Sequence, residues 1–221
     1  MKTLPFAAAA WLLGVALATA QEPPKNPLTR ADVHVVLGWQ NLHKPQPVDE
    51  SYSNDWINGI FFGGGGAGWY WTDNLKTQVD FGAGTRGRQY RYEPFVVGGQ
   101  TTGGSSQLNV QQQSVAIAQH YQFFRNQWFH PHVGAGIDIA RETTREVYDP
   151  VYVFDQAGRI SRQVRPARIE GPGHRVIARP FAEAGLKAYM TRKAFFTTDA
   201  RLMFKGGVDE VLFRFGFGVD F

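Results

Sequence analysis

The sequence predicts an all-β fold, an eight-stranded antiparallel transmembrane β-barrel, on three observations. The first is alternation. From Glu210 to Phe221, the residues Val211, Phe213, Phe215, Phe217, Val219 and Phe221 share one parity, and Glu210, Leu212, Arg214, Gly216, Gly218 and Asp220 the other. Successive side chains of a strand point to opposite faces, so one face is apolar enough for lipid while the other carries charge and glycine. The second is the rhythm of the connections: short turns near 73, 126 and 192 alternate with longer segments, the asymmetry expected of a membrane barrel with tight turns on one side and loops on the other. The third is where the aromatics gather. Trp69, Tyr70, Trp71, Tyr121, Phe123, Phe124, Trp128, Phe129, Tyr189, Phe195 and Phe196 all flank those three turns, as in a girdle at a membrane interface. Soluble hairpins, which also alternate, have no reason to collect aromatics there.

The elements follow in order. Residues 1–20 read as a secretory signal peptide: Lys2, an apolar run over 4–17, and Ala18-Thr19-Ala20 before Gln21. The run is shorter than the ~20 apolar residues of a spanning helix. Residues 21–30, with Pro23, Pro24 and Pro27, form an extended leader, and residues 31–221 the barrel. The first strand covers 32–41, with Val33, Val35, Leu37 and Trp39 on one face. A polar loop over 42–53 precedes a second strand over 55–71. The third covers 76–90 and sets Thr77, Val79, Phe81 and Ala83 against Lys76, Gln78, Asp80, Gly82, Gly84 and Arg86. Residues 93–106, rich in Gly, Thr and Ser, read as a long loop. Strands four and five cover 108–124 and 128–142, and a long connection runs to 173. Strands six and seven cover 174–190 and 194–205, and the terminal strand follows Gly206-Gly207. Within the long connection, Asp155-Gln156-Ala157-Gly158 is a hairpin signal; two further strands there would give ten, but Pro150 and Pro166 interrupt them.

Composition agrees. After residue 20 the chain keeps 22 Lys and Arg against 19 Asp and Glu, a mild +3 that does not suggest nucleic acid. It has no cysteine, which excludes disulfides, thiol catalysis and cysteine-based metal sites. Mean hydropathy is −0.30 although aromatics reach 14%, as expected when apolar residues occupy every second position.

A terminal strand of this pattern ending on Phe221, three aromatic-flanked turns and an export signal together resemble the small single-domain outer-membrane β-barrel proteins, of the broad OmpA/OmpX/OmpW-like type without a periplasmic domain. The resemblance covers nearly the whole chain after the signal. It implies the outer membrane of a diderm bacterium, lipid and lipopolysaccharide as surroundings, a monomer, and recognition by the barrel-assembly machinery of an insertion signal comprising Phe217, Val219 and Phe221.

The motifs give no positive sign of catalysis. Gly63-Gly64-Gly65-Gly66-Ala67-Gly68 contains G-x-G-x-x-G, but Trp69-Tyr70-Trp71 and a turn follow where a helix N-terminus would be needed. The inward parity collects Lys76, Asp80, Arg86, Asp138, Glu142, Arg179, Glu183, Lys187, Asp199, Arg201, Lys205, Arg214 and Asp220. Interleaved signs at this density read as a lumen plugged by ion pairs, centred on Glu183, Lys187, Asp199, Arg201 and Arg214, since lone buried charges are costly. Pairing across the turn near 192 places Glu183 opposite Arg201 and brings Lys187 near Asp199. His120, His130 and His132 suggest a shared transition metal if His120 faces His132, but no third ligand is evident and polar filling of the lumen is the expectation. Ser114 and His120 are ~20 Å apart along a strand, too far for a catalytic pair. Arg159, Arg162, Arg165 and Arg168 recur every third residue and suit lipopolysaccharide phosphates. The expectation is a structural or surface-interaction protein that is not an enzyme and uses no cofactor. A narrow, porin-like passive channel for small solutes and a lipid-modifying barrel enzyme are the alternatives.

Overall fold

The computed structural model of the chain describes residues 30–45, 55–123 and 128–221. The signal peptide, most of the leader, Phe124 and most of the loop after the first strand lie outside these residues. Eleven strands follow in order: β1 (Ala31–His43), β2 (Trp56–Tyr70), β3 (Leu75–Gly84), β4 (Gly87–Val97), β5 (Gln100–Gln122), β6 (Phe129–Tyr148), β7 (Val151–Phe154), β8 (Ile160–Arg165), β9 (Arg168–Tyr189), β10 (Ala194–Phe204) and β11 (Val208–Asp220). Eight of them close a ring in the order β3-β2-β1-β11-β10-β9-β6-β5, with β5 returning to β3. All the pairings are antiparallel, and β1 meets β11 at the seam from Asp32↔Asp220 to Leu42↔Glu210. Closure removes every edge whose backbone groups would otherwise meet lipid unpaired.

The strand count matches the sequence expectation; several bounds do not. The third strand breaks at Thr85-Arg86, and β4 resumes along the upper half of β5. The stretch 93–106 is a hairpin, turning at Gly98 and Gly99 with φ of 59° and 79°, values suited to glycine. Strands β5, β6 and β9 run 23, 20 and 22 residues, where ~9–11 cross a bilayer. Their extra length rises away from the short turns as a wall outside the membrane. There residues 168–176 of β9 are exposed on both faces, which erases the alternation a sequence reading depends on. The two arms near 155 do pair, as β7 and β8, in a separate hairpin outside the ring.

Alternation separates the faces as expected. Val35, Phe81, Ile137, Ile139, Phe213 and Phe217 are exposed on the outside, an apolar belt suited to lipid. Around the short turns Trp69, Trp71, Tyr121, Phe123, Trp128 and Phe129 face outward. Phe195 does not: it is buried in the lumen, and Tyr70 and Tyr189 turn inward to bond Asp32 and Asp220. The outward turn aromatics thus form the girdle, while Tyr70, Tyr189 and Phe195 cap the lower mouth.

Inside, apolar and ionic layers alternate. Val36, Phe62, Ala116, Ala118, Phe181, Met203 and Leu212 make one apolar belt, and Leu42, Ile57, Ile60, Leu108 and Val110 a second above it. Glycine supplies the space: a Cβ on Gly82 would lie 2.1 Å from Phe62 Cζ, and one on Gly136 2.8 Å from Phe181 Cζ.

Candidate functional site

The lumen gathers most of the buried charges among the described residues in three layers. The lowest, nearest the short turns, joins β1, β2, β3, β9 and β11. Lys187 Nζ lies 2.6 Å from Asp220 Oδ1, 3.0 Å from Asp32 Oδ2 and 2.9 Å from the Tyr70 hydroxyl. Lys76 reaches Asp32 at 3.2 Å, and Gln122 donates to Tyr70 at 3.2 Å. The ammonium of Lys187 also sits 3.8 Å from the Phe195 ring centre, a cation–π contact that partly replaces its lost hydration.

The middle layer holds three carboxylates and two guanidinium groups. Arg201 Nη2 lies 2.6 Å from Asp80 Oδ2 and 2.7 Å from Glu183 Oε2. Arg214 lies 2.7 Å from Asp199, 2.8 Å from Asp80 and 3.5 Å from Glu183. His34 Nε2 lies 3.0 Å from Asp80 Oδ1. On the opposite wall His120 Nε2 lies 2.7 Å from Glu183 Oε1 and His132 Nε2 4.0 Å from the same oxygen. Among the described residues, these last three form the group able to offer three ligand atoms to one metal ion.

The upper layer lies beyond the first apolar belt. Arg179 binds Asp138, Asp209 and Glu210 at 2.8, 2.9 and 2.8 Å. Gln40 donates to Glu210 and to Gln112, and Gln112 donates to Glu142. Lys44 and Arg175 close on Glu142, each at 2.6 Å.

Several of these pairs span the lumen. Arg201 on β10 and Asp80 on β3 stand four strands apart in a ring of eight, as do Lys44 at the end of β1 and Glu142 on β6. Lys187–Asp32, Arg214–Asp80 and Gln40–Gln112 each cross three. Removing one partner of such a buried pair strands its charge, at a typical ~3–5 kcal/mol.

The structure refines the expected contacts. Glu183 stands opposite Arg201 and Lys187 opposite Thr197, the register read from the short turn. Lys187 nevertheless does not pair with Asp199: it reaches across to Asp32 and Asp220, and Arg214 takes Asp199. Arg86 and Lys205 are exposed, one at the break after β3 and the other beside the turn after β10. His120 pairs with Gly134, and His132 with Gln122, so the two histidines are offset diagonally and their rings stack at 5.3 Å. His130 packs against Tyr189 instead. Arg159, Arg162 and Arg168 are exposed on or beside the outer hairpin, whereas Arg165 is buried, bonded to Glu93 at 2.6 Å and to the Ser105 carbonyl at 3.0 Å. Sequence parity did not single out Asp32, His34, Tyr70 or Lys44; Asp32 and His34 share the inward parity of the first strand and could have been found by it.

The outer membrane protein beta-barrel domain family matches residues 6–221. The chain belongs to this family. Its membership places the protein among outer-membrane barrels and accounts for the closed ring and the lipid-facing belt. The fold is similar to that of Neisserial surface protein A, at 13% identity and a TM-score of 0.51 over 86% of this chain and 97% of that one. It is also similar to the outer membrane protein OprG from Pseudomonas aeruginosa, at 12% identity and a TM-score of 0.50 over 87% and 97%. At these identities the likeness concerns the fold alone. No curated protein matches the chain significantly.

Proposed function

We propose that this family member is a monomeric barrel with a closed lumen, serving a structural or surface-interaction role in the envelope of a diderm bacterium and catalysing no reaction. The observation that carries this reading is the set of ion pairs that span the ring at three heights, with two apolar belts between and above them. A conduit needs an uninterrupted wet path, and these layers fill it. The working surface is then the wall of β4, β5, β6 and β9 with its β7–β8 hairpin. There Arg159, Arg162 and Arg168 present guanidinium groups suited to the phosphates of lipopolysaccharide. Export follows cleavage near Ala20, and the barrel-assembly machinery reads the outward residues Phe217, Val219 and Phe221; deleting Phe221 should leave the chain unassembled and protease-sensitive.

Planar-bilayer recording tests the closed lumen. Purified protein should give no steady conductance above bare lipid, whereas persistent open steps would establish the channel reading instead. Lipid mass spectrometry of expressing and non-expressing cells should show no altered species; a new acylation pattern would make it an enzyme.

A further inference from the structure

We propose that His120, His132 and Glu183 form a binding site for one divalent transition-metal ion of the zinc class inside the lumen. The three residues come from adjacent strands β5, β6 and β9, and their positions interlock. One cross-strand row reads His120, Gly134, Glu183, and the row below it reads Gln122, His132, Gly185. Glycine stands between or beside the ligands in each row. A Cβ on Gly134 would lie 2.6 Å from His120 Cδ2 and 3.1 Å from Glu183 Cγ; one on Gly185 would lie 2.7 Å from His132 Cε1. The two glycines therefore open the space in which two imidazoles and a carboxylate converge.

The donor set is two nitrogens and one oxygen, which suits Zn(II) and its neighbours and leaves a fourth position open. The three ligand atoms lie within 4.8 Å of one another. In a tetrahedral site with bonds of ~2.0–2.1 Å, donor atoms stand roughly 3.3 Å apart. The His120–Glu183 separation of 2.7 Å must then open, and the His132–Glu183 separation of 4.0 Å must close, each by roughly two-thirds of an ångström. The rings stand nearly parallel, at 7°, so binding turns them until both nitrogens aim at one point.

The surroundings favour an occupant. His120, His132 and Glu183 are only 1%, 6% and 5% exposed. His120 Nε2 and Glu183 Oε1 stand 2.7 Å apart, and neither has a further hydrogen-bond partner among the described residues. Arg201 and Arg214 hold Glu183 by its other oxygen, Oε2, which fixes the carboxylate with Oε1 toward the imidazoles. A cavity of about 10 Å³ lined by His132 lies beside that imidazole, about the size of one water. The middle layer sets three carboxyl groups, Asp80, Glu183 and Asp199, against the two guanidinium groups of Arg201 and Arg214.

The test uses the full barrel without a polyhistidine tag, refolded in detergent with one equivalent of Zn(II) or Co(II) and then desalted. Elemental analysis should find about one ion per chain in wild type and in the His174→Asn control. It should find at least tenfold less in His132→Asn and in His120→Asn, each checked for folding by heat-modifiable migration. Co(II) should show the intense visible bands of a tetrahedral site. A readout on wild type alone guards against variants that do not fold: Zn(II) should shift the imidazole nitrogen resonances of two of the six histidines. Failure of wild type to retain metal, or equal retention by a folded His132→Asn barrel, overturns the proposal. Neither outcome touches the closed-lumen reading, which conductance tests separately.

Discussion

Removing the Arg214 guanidinium should be among the most damaging single changes in the lumen, and the network gives its size. Arg214 is 2% exposed and answers three carboxylates: Asp199 at 2.7 Å, Asp80 at 2.8 Å and Glu183 at 3.5 Å. In Arg214→Ala, Asp80 and Glu183 keep Arg201 while Asp199 loses its ion pair, so the loss belongs at the upper end of the range for breaking a buried pair, about 5 kcal/mol. Asp80→Ala also breaks cross-barrel pairs, yet Arg201 keeps Glu183 and Arg214 keeps Asp199. Its cost belongs at the lower end, about 3 kcal/mol. Arg214→Met keeps most of the side chain's packing while removing the charge, and should fall near Arg214→Ala if charge is the cause. The assay is reversible urea unfolding in lipid vesicles, followed by tryptophan fluorescence and by heat-modifiable migration. Both alanine variants within about 1 kcal/mol of wild type, or Asp80→Ala the more harmful of the two, would show that the ion pairs do not hold the lumen as argued.

Three further outcomes follow from the same structure. Phe215→Arg places a charge on the lipid face beside Trp39 and should cost ~2–4 kcal/mol if near the midplane, measured by the same unfolding assay. Gly82→Ala drives a methyl group into Phe62 and should cost ~1–3 kcal/mol by overpacking; Phe62→Leu in the same chain should restore much of the loss. Arg165→Ala removes the clamp to Glu93 and to the Ser105 carbonyl, so limited proteolysis near residues 155–159 should quicken while the barrel stays heat-modifiable.

How much of this was legible depends on what period-2 patterning encodes. It assigns faces, so the inward row Glu210, Leu212, Arg214 and the outward row Val211, Phe213, Phe215 could be read directly. It fixes register across a tight turn, so Glu183 opposite Arg201 was readable. It does not say which strand stands across the barrel. Lys187 had a suitable acid nearby at Asp199 but reaches Asp32 from the far side of the seam, a pairing set by ring closure. The histidine site was hidden for a related reason. A two-residue error in the β5–β6 register kept His120 and His132 on the correct face but in the wrong row, and Glu183 comes from a third strand. The wall above the membrane escaped notice because residues 168–176 are exposed on both faces and the 93–106 hairpin is rich in Gly, Thr and Ser in place of the apolar alternation that marks a strand.

The cross-barrel pairs also bear on how the molecule comes together. A ring joined only through neighbouring strands could close first as a hollow tube and fill later. Here Arg201–Asp80 and Lys44–Glu142 act as spokes on two different diameters. Neither pair is complete until the strands between its members have taken their places, and Lys187–Asp32 further requires that β1 has reached the far side through β11. Sealing the seam and completing these cross-barrel pairs are therefore a single event. The barrel should assemble and come apart in one cooperative transition, with no hollow intermediate along the way, and its cross-section should resist flattening as the surrounding bilayer is compressed.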